Sequence, residues 1–117
     1  MSDQLNTFLG NLHHFYKTSY TGNIKLKDLI TNRTWKLVIT YCGLPIGKDK
    51  NINGIACRCS FHGEETLALG SLSKVGKKHV YFKGDVWKLK VKPVGSSIYG
   101  TLRIKNEYYP IEFSYEY

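Results

Sequence analysis

The chain has 117 residues, 42% hydrophobic and 22% charged, which suits one domain with its own core and excludes both disorder and dependence on disulfides. Seventeen Lys and Arg against nine Asp and Glu give a net charge of +8 and a sequence pI near 9.4, an excess that favours polyanionic partners, nucleic acid first. No apolar run is long enough to span a bilayer, and Met1-Ser2-Asp3-Gln4 carries an acid where a secretion signal needs bases, so an intracellular, cytoplasmic protein without membrane partners is expected.

In chain order, the first predicted element is an amphipathic helix within residues 1–18. Leu5, Phe8, Leu9, Leu12, Phe15 and Tyr16 recur at spacings of three and four, with Ser2 or Asp3 as N-cap and Thr18 to Gly22 as the stop. After Gly22 the period switches to two. Ile24 and Leu26 alternate with Lys25 and Lys27, and Trp35, Leu37, Ile39 and Tyr41 share one face of the next strand. Pro45 to Gly54 reads as a loop closed by an Asn-Gly turn. Ile55, Cys57, Cys59 and Phe61 then face one way, and Arg58 and His62 the other. Short strands are expected at Thr66–Leu69 and Val80–Phe82. In the next strand Trp87, Leu89 and Val91 oppose Lys88, Lys90 and Lys92, before a turn at Pro93–Ser97. Ile98, Leu102 and Ile104 form one face of the penultimate strand, and Tyr109, Ile111, Phe113 and Tyr115 one face of the last. One helix followed by about seven short strands predicts a mainly β barrel or sandwich, a single domain over 1–117 with its β part at 20–117.

Enzyme signatures are missing. Gly43-Leu44-Pro45-Ile46-Gly47-Lys48 lacks the spacing of a phosphate loop, no nucleophile elbow or HExxH pair occurs, and Glu64-Glu65 would face opposite sides of a strand. A non-enzymatic protein without cofactor is expected. Cys57, Cys59 and His62, with Cys42 or His13-His14, offer enough ligands for zinc. Their spacing instead sets the thiols in an alternating apolar strand with His62 on its other face, so buried, reduced thiols are expected and no metal. Three cysteines, an odd number, also argue for a reducing compartment.

The basic, aromatic pattern carries the functional reading. Between Lys74 and Lys92 lie seven lysines and one acid, Asp85. Lys88, Lys90 and Lys92 would project from one strand face about 7 Å apart, close to the phosphate repeat of an extended single strand. The competing reading is a lysine face that protects an edge strand from aggregation. Most rings belong to apolar faces: Trp35, Trp87, Phe82, Phe113, Phe8 and Phe15. Tyr81 and Tyr99 alternate onto polar faces among cations, as base-stacking platforms do.

The segment Gly76-Lys77-Lys78-His79-Val80-Tyr81-Phe82-Lys83-Gly84-Asp85-Val86-Trp87 resembles the strand of OB-fold single-stranded DNA-binding proteins in which Gly-X-X-Val-Tyr-Val-X-Gly precedes another β segment. It covers about a tenth of the chain. The family's opening strand and its Gly- and Pro-rich, acid-tipped tail have no counterpart, and Glu112 to Tyr117 stand at the end instead. Compact phage- or virus-encoded members tolerate such departures. The resemblance implies a small OB-like barrel that binds single-stranded DNA or RNA. On this reading Lys36, Arg58, Lys83, Lys88, Lys90, Lys92, Arg103 and Lys105 contact phosphates, and Tyr81 and Tyr99 stack on bases. The alternative is a phage- or virus-type protein-interaction or inhibitor module. It would use the N-terminal helix or the strand with Tyr108, Tyr109, Tyr115 and Tyr117, either of which could also serve a homo-oligomer.

Overall fold

The structure, a computed structural model, describes residues 3–19, 22–43, 57–63 and 67–116. The expected loop at Pro45–Gly54, the N-cap candidate Ser2, and Ile55, Thr66 and Tyr117 lie outside them.

The stripe Leu5, Phe8, Leu9, Leu12 and Phe15 forms helix α1 (Asp3–Thr18) and is buried along its length. Lys17 lies in the last turn, where a cation suits the helix dipole, and Ser19 N donates to Phe15 O at 2.9 Å to close the helix. Gly22, at φ 62°, then turns the chain into the sheet, and a Cβ there would press on Ile39 O at 2.7 Å.

Eight strands follow: β1 (Asn23–Asp28), β2 (Thr34–Cys42), β3 (Cys57–His62), β4 (Leu67–Val75), β5 (Val80–Gly84), β6 (Trp87–Val94), β7 (Ser97–Ile104) and β8 (Glu107–Tyr115). Each pairs antiparallel with its sequence neighbours, and β1 pairs with β8, so the barrel closes. The expected mainly β barrel with one N-terminal helix is what forms, with eight strands rather than about seven. Its strands run in sequence order, an up-and-down route unlike the five-stranded Greek key of an OB fold.

Alternation puts Ile24, Leu26, Leu37, Phe61, Phe82, Leu89, Val91, Leu102 and Ile111 inside, all at most 1% exposed. Trp87 fills the end away from the helix. Its ring stacks on Phe61 at 5.4 Å, and Gly70 and Gly84 leave the room it occupies, since a Cβ at either would overlap the indole. The helix closes the opposite end: Phe8 meets Phe113 edge-on at 5.6 Å, Phe15 meets Tyr115 at 4.8 Å, and His13 Nδ1 hydrogen-bonds Cys42 O at 2.9 Å.

Three expectations change. A β-bulge in β2 between Ile39 and Tyr41 inserts Thr40 as an extra residue, so Tyr41 turns outward, 48% exposed, and Cys42 takes the inner position at 2%. β4 extends to Val75, past a second bulge between Leu72 and Lys74, where a strand ending at Leu69 was expected. β6 runs through Pro93 to Val94, because Pro93 and Val94 pair with Ile98 and Ser97 across a tight turn at Gly95, φ 63°.

Candidate functional site

The outer surface of β3 to β8 gathers the basic residues. Read across the registers, Arg58, Ser71, Lys83, Lys88 and Arg103 stand side by side on β3, β4, β5, β6 and β7. The row continues to Tyr41 on β2 and Tyr108 on β8. A parallel row runs Lys74, Tyr81, Lys90, Thr101 and Pro110 from β4 to β8. Neighbouring members sit about 4.8 Å apart across strands, and the two rows about 7 Å apart along them. Lys88 thus has Lys83 directly opposite on one side and Arg103 on the other.

Between the two rows lies a groove of about 520 Å³. Five cations line it, Lys74, Lys83, Lys88, Lys90 and Arg103, and among the described residues no carboxylate does. Tyr81 and Tyr108 border it. Arg103 is half-buried, and its Nε–H is buried without a hydrogen-bond partner among the described residues. The field of the row is visible at His79 beside it. Desolvation and the charges of Lys90, Lys92 and Lys78 together hold that imidazole below its ordinary pKa.

The structure brings Arg58, Tyr81, Lys83, Lys88, Lys90, Lys92, Tyr99 and Arg103 onto one continuous surface. Lys92 and Tyr99 pair with each other at its margin, and Tyr99, 39% exposed, has the acid Glu112 on its other side. Lys36 stands apart. It pairs with Lys25 on β1 and His62 on β3, beside a second groove that Trp35 and Glu116 also line. Lys105 was expected on the face of Tyr99, Thr101 and Arg103. Instead β7 ends at Ile104, and Lys105 takes the left-handed position of the β7–β8 turn at φ 56°, with its N–H donated to Val86 O at 3.0 Å. A two-residue hairpin needs that positive φ, which takes Lys105 off the strand.

Two residues that line the groove were not among the expected site residues, Lys74 and Tyr108. Lys74 reaches the outer face only through the bulge at Ser73, after which its Nζ sits 5.6 Å from the centre of the Tyr81 ring. Tyr108, 67% exposed, stands beside Arg103 only through the β7–β8 register.

The thiols face the interior. Cys42 and Cys57 are register partners, and the contact between their thiols lowers Cys42 against the effect of burial, while the same contact and burial together raise Cys57. Burial pushes Cys59 up to about 12. His62 points outward, its Nε2 hydrogen-bonded to Ser60 Oγ at 2.9 Å, so β-alternation separates it from the three sulfurs. Among the described residues no cluster of three metal-ligating side chains forms.

Of the surfaces considered for a protein partner, the helix stripe is spent on the barrel, and Tyr109 and Tyr115 pack against the core. No described helix is long and apolar enough to cross a membrane. No protein-family model, curated protein or solved structure matches the chain.

Proposed function

We propose that the protein is a non-enzymatic nucleic-acid-binding protein that holds single-stranded DNA or RNA on the outer face of β3–β8. One observation carries the reading: Lys83, Lys88 and Arg103 oppose one another directly across three paired strands, with no carboxylate among them. Like charges directly opposite are destabilising in a sheet, so such a row needs a compensating benefit. Edge protection does not supply one, because every strand of the closed barrel is paired on both sides. A polyanion does. Arg58, Lys83, Lys88, Lys90 and Arg103 take phosphates, and tyrosine rings on the same surface offer faces to bases. A positive sheet face serves this purpose whatever the strand order.

Fluorescence anisotropy with a labelled oligonucleotide over a salt series tests the proposal. Binding should persist near physiological salt and weaken log-linearly, with a slope of about −0.7 per phosphate contact. Replacing Lys88, Lys90 and Lys92 together by Ala should shrink that slope by roughly two units without unfolding the protein. An unchanged slope in the triple variant would remove the nucleic-acid reading.

A further inference from the structure

We infer that the groove between the two rows is a nucleotide subsite in which Arg103 and Lys88 hold a phosphate while the adjoining base stacks on Tyr108, so that single strands are preferred to duplex. The inference rests on the nucleic-acid reading and deepens it. Four rings on this surface compete for the stacking role, and their surroundings separate them. Tyr41, at the far end of the row, is outside the groove lining and already meets Tyr16 edge-on at 6.3 Å.

Tyr81 is half-buried and already used: Lys74 Nζ lies 5.6 Å from its ring centre, and the His79 ring lies 6.2 Å away. Its part is to hold Lys74 over the groove. Tyr99 is outside the groove lining and stands between Lys92 and Glu112, where the carboxylate repels a phosphate chain. Tyr108 is the most exposed tyrosine among the described residues at 67%, and no described ring or cation packs on it. An amphipathic ring left bare at the border of a cationic groove has the exposure that base stacking requires.

Arg103 supplies the second half of the argument. It is the cross-strand neighbour of Tyr108, and its Nε–H is buried and unsatisfied among the described residues. That Nε–H is shut off from solvent, but the residue lines the groove, where the charge of its guanidinium answers a phosphate. Lys88, directly opposite on β6, adds a second charge to the same anion. Phosphate and base would then be gripped on adjacent strands, about one strand spacing apart. A duplex keeps its bases stacked internally and offers only its backbone, so it can use Arg103 and Lys88 but not Tyr108.

The test compares a labelled oligothymidylate with a duplex of equal length, at one salt concentration and in a salt series. Tyr108→Ala should weaken the single strand about 5- to 140-fold, leave its salt slope unchanged and barely alter the duplex. Tyr108→Phe should bind as the unaltered protein does, since the ring and not the hydroxyl does the stacking. Tyr99→Ala should change affinity less than twofold by the same argument. Arg103→Gln should weaken both ligands and reduce the slope by about 0.7 on the single strand. Melting curves check that each variant is folded, and Tyr108 is exposed enough for the truncation to be tolerated. If Tyr108→Ala binds the oligothymidylate normally while Arg103→Gln still lowers the slope, the stacking subsite is wrong and the charged face stands. If the unaltered protein binds no oligonucleotide near physiological salt, the underlying reading fails, and the subsite with it.

Discussion

Lys88 offers a test in which stability and binding move in opposite directions. It faces Lys83 on β5 and Arg103 on β7, so it takes part in two like-charge cross-strand pairs. Each such pair costs roughly 0.2–1 kcal/mol. Lys88→Thr removes both and places a good strand former at an exposed position, so the fold should gain roughly 0.5–2 kcal/mol. With an unfolding entropy of about 2.1 cal/mol/K per residue, each kcal/mol is worth about 4 °C in a chain of this size, and the melting temperature should rise by roughly 2–8 °C. Circular dichroism melts at low salt measure it. At 1 M salt the screening length falls to about 3 Å, and most of the gain should vanish. Binding should go the other way, with the oligonucleotide salt slope reduced by about 0.7. A variant that melts lower, or gains equally at 1 M salt, would refute the like-charge argument. A variant with unchanged salt slope would show that Lys88 touches no phosphate.

The other predictions follow from the barrel's two ends and its titratable groups. Deleting residues 1–17 removes five buried side chains of α1, worth roughly 8–15 kcal/mol together. That is comparable to the whole stability of a domain, so the truncated chain should lose its cooperative melt. A truncated protein that melts normally but loses a partner would make the helix an interaction element. The neighbouring lysines help to depress His79, so a bound polyanion should raise its pKa, and NMR titration of the ring should show the shift. Because the bound form then takes up a proton, affinity should increase as pH falls from the ordinary value near 6.5 through the depressed one of the free protein. An imidazole that titrates identically with and without oligonucleotide would place the ligand elsewhere. Protein purified without chelator should hold well below one zinc per chain, and native Cys57 and Cys59 should resist alkylation, since the Cys42 contact and burial raise Cys57 and burial raises Cys59. Stoichiometric zinc that survives dialysis would reverse this assignment.

What was legible in the sequence is what local periodicity encodes. The helix stripe from Leu5 to Phe15 and the alternation of Trp87, Leu89 and Val91 with Lys88, Lys90 and Lys92 each follow from a single stretch of chain, and each is found as expected. The same parity separates His62 from Cys57 and Cys59. Cross-strand partnership is a different kind of fact. Lys36 and Lys88 both sit on polar strand faces, and nothing local distinguishes them, yet one pairs with Lys25 and the other with Lys83 and Arg103. A barrel was expected only beside a sandwich, because closure depends on β1 meeting β8 from opposite ends of the sheet. Closure is also what removes the edge-protecting explanation of the lysines.

The bulges show most directly why the groove itself could not be read from the sequence. A one-residue insertion reverses the facing of everything after it. Strict alternation from Leu72 would send Lys74 into the barrel, where an unpaired ammonium is prohibitively costly. With Ser73 as the extra residue, Leu72 stays buried against Phe82, and Lys74 comes out opposite Tyr81. Ser73 Oγ donates to Tyr81 O at 3.2 Å, so the inserted residue also ties itself to the partner strand. The bulge at Thr40 acts likewise, sending Tyr41 out to meet Arg58 while Cys42 fills the core. In both cases a polar hydroxyl residue is the insertion, and a residue with an apolar stem and a polar tip is carried to the outer face. Both residues join the basic surface, Lys74 in one cross-strand row and Tyr41 at the end of the other. The core dictates these irregularities, because it must keep Leu72 and Cys42 inside; the composition of the groove is the consequence.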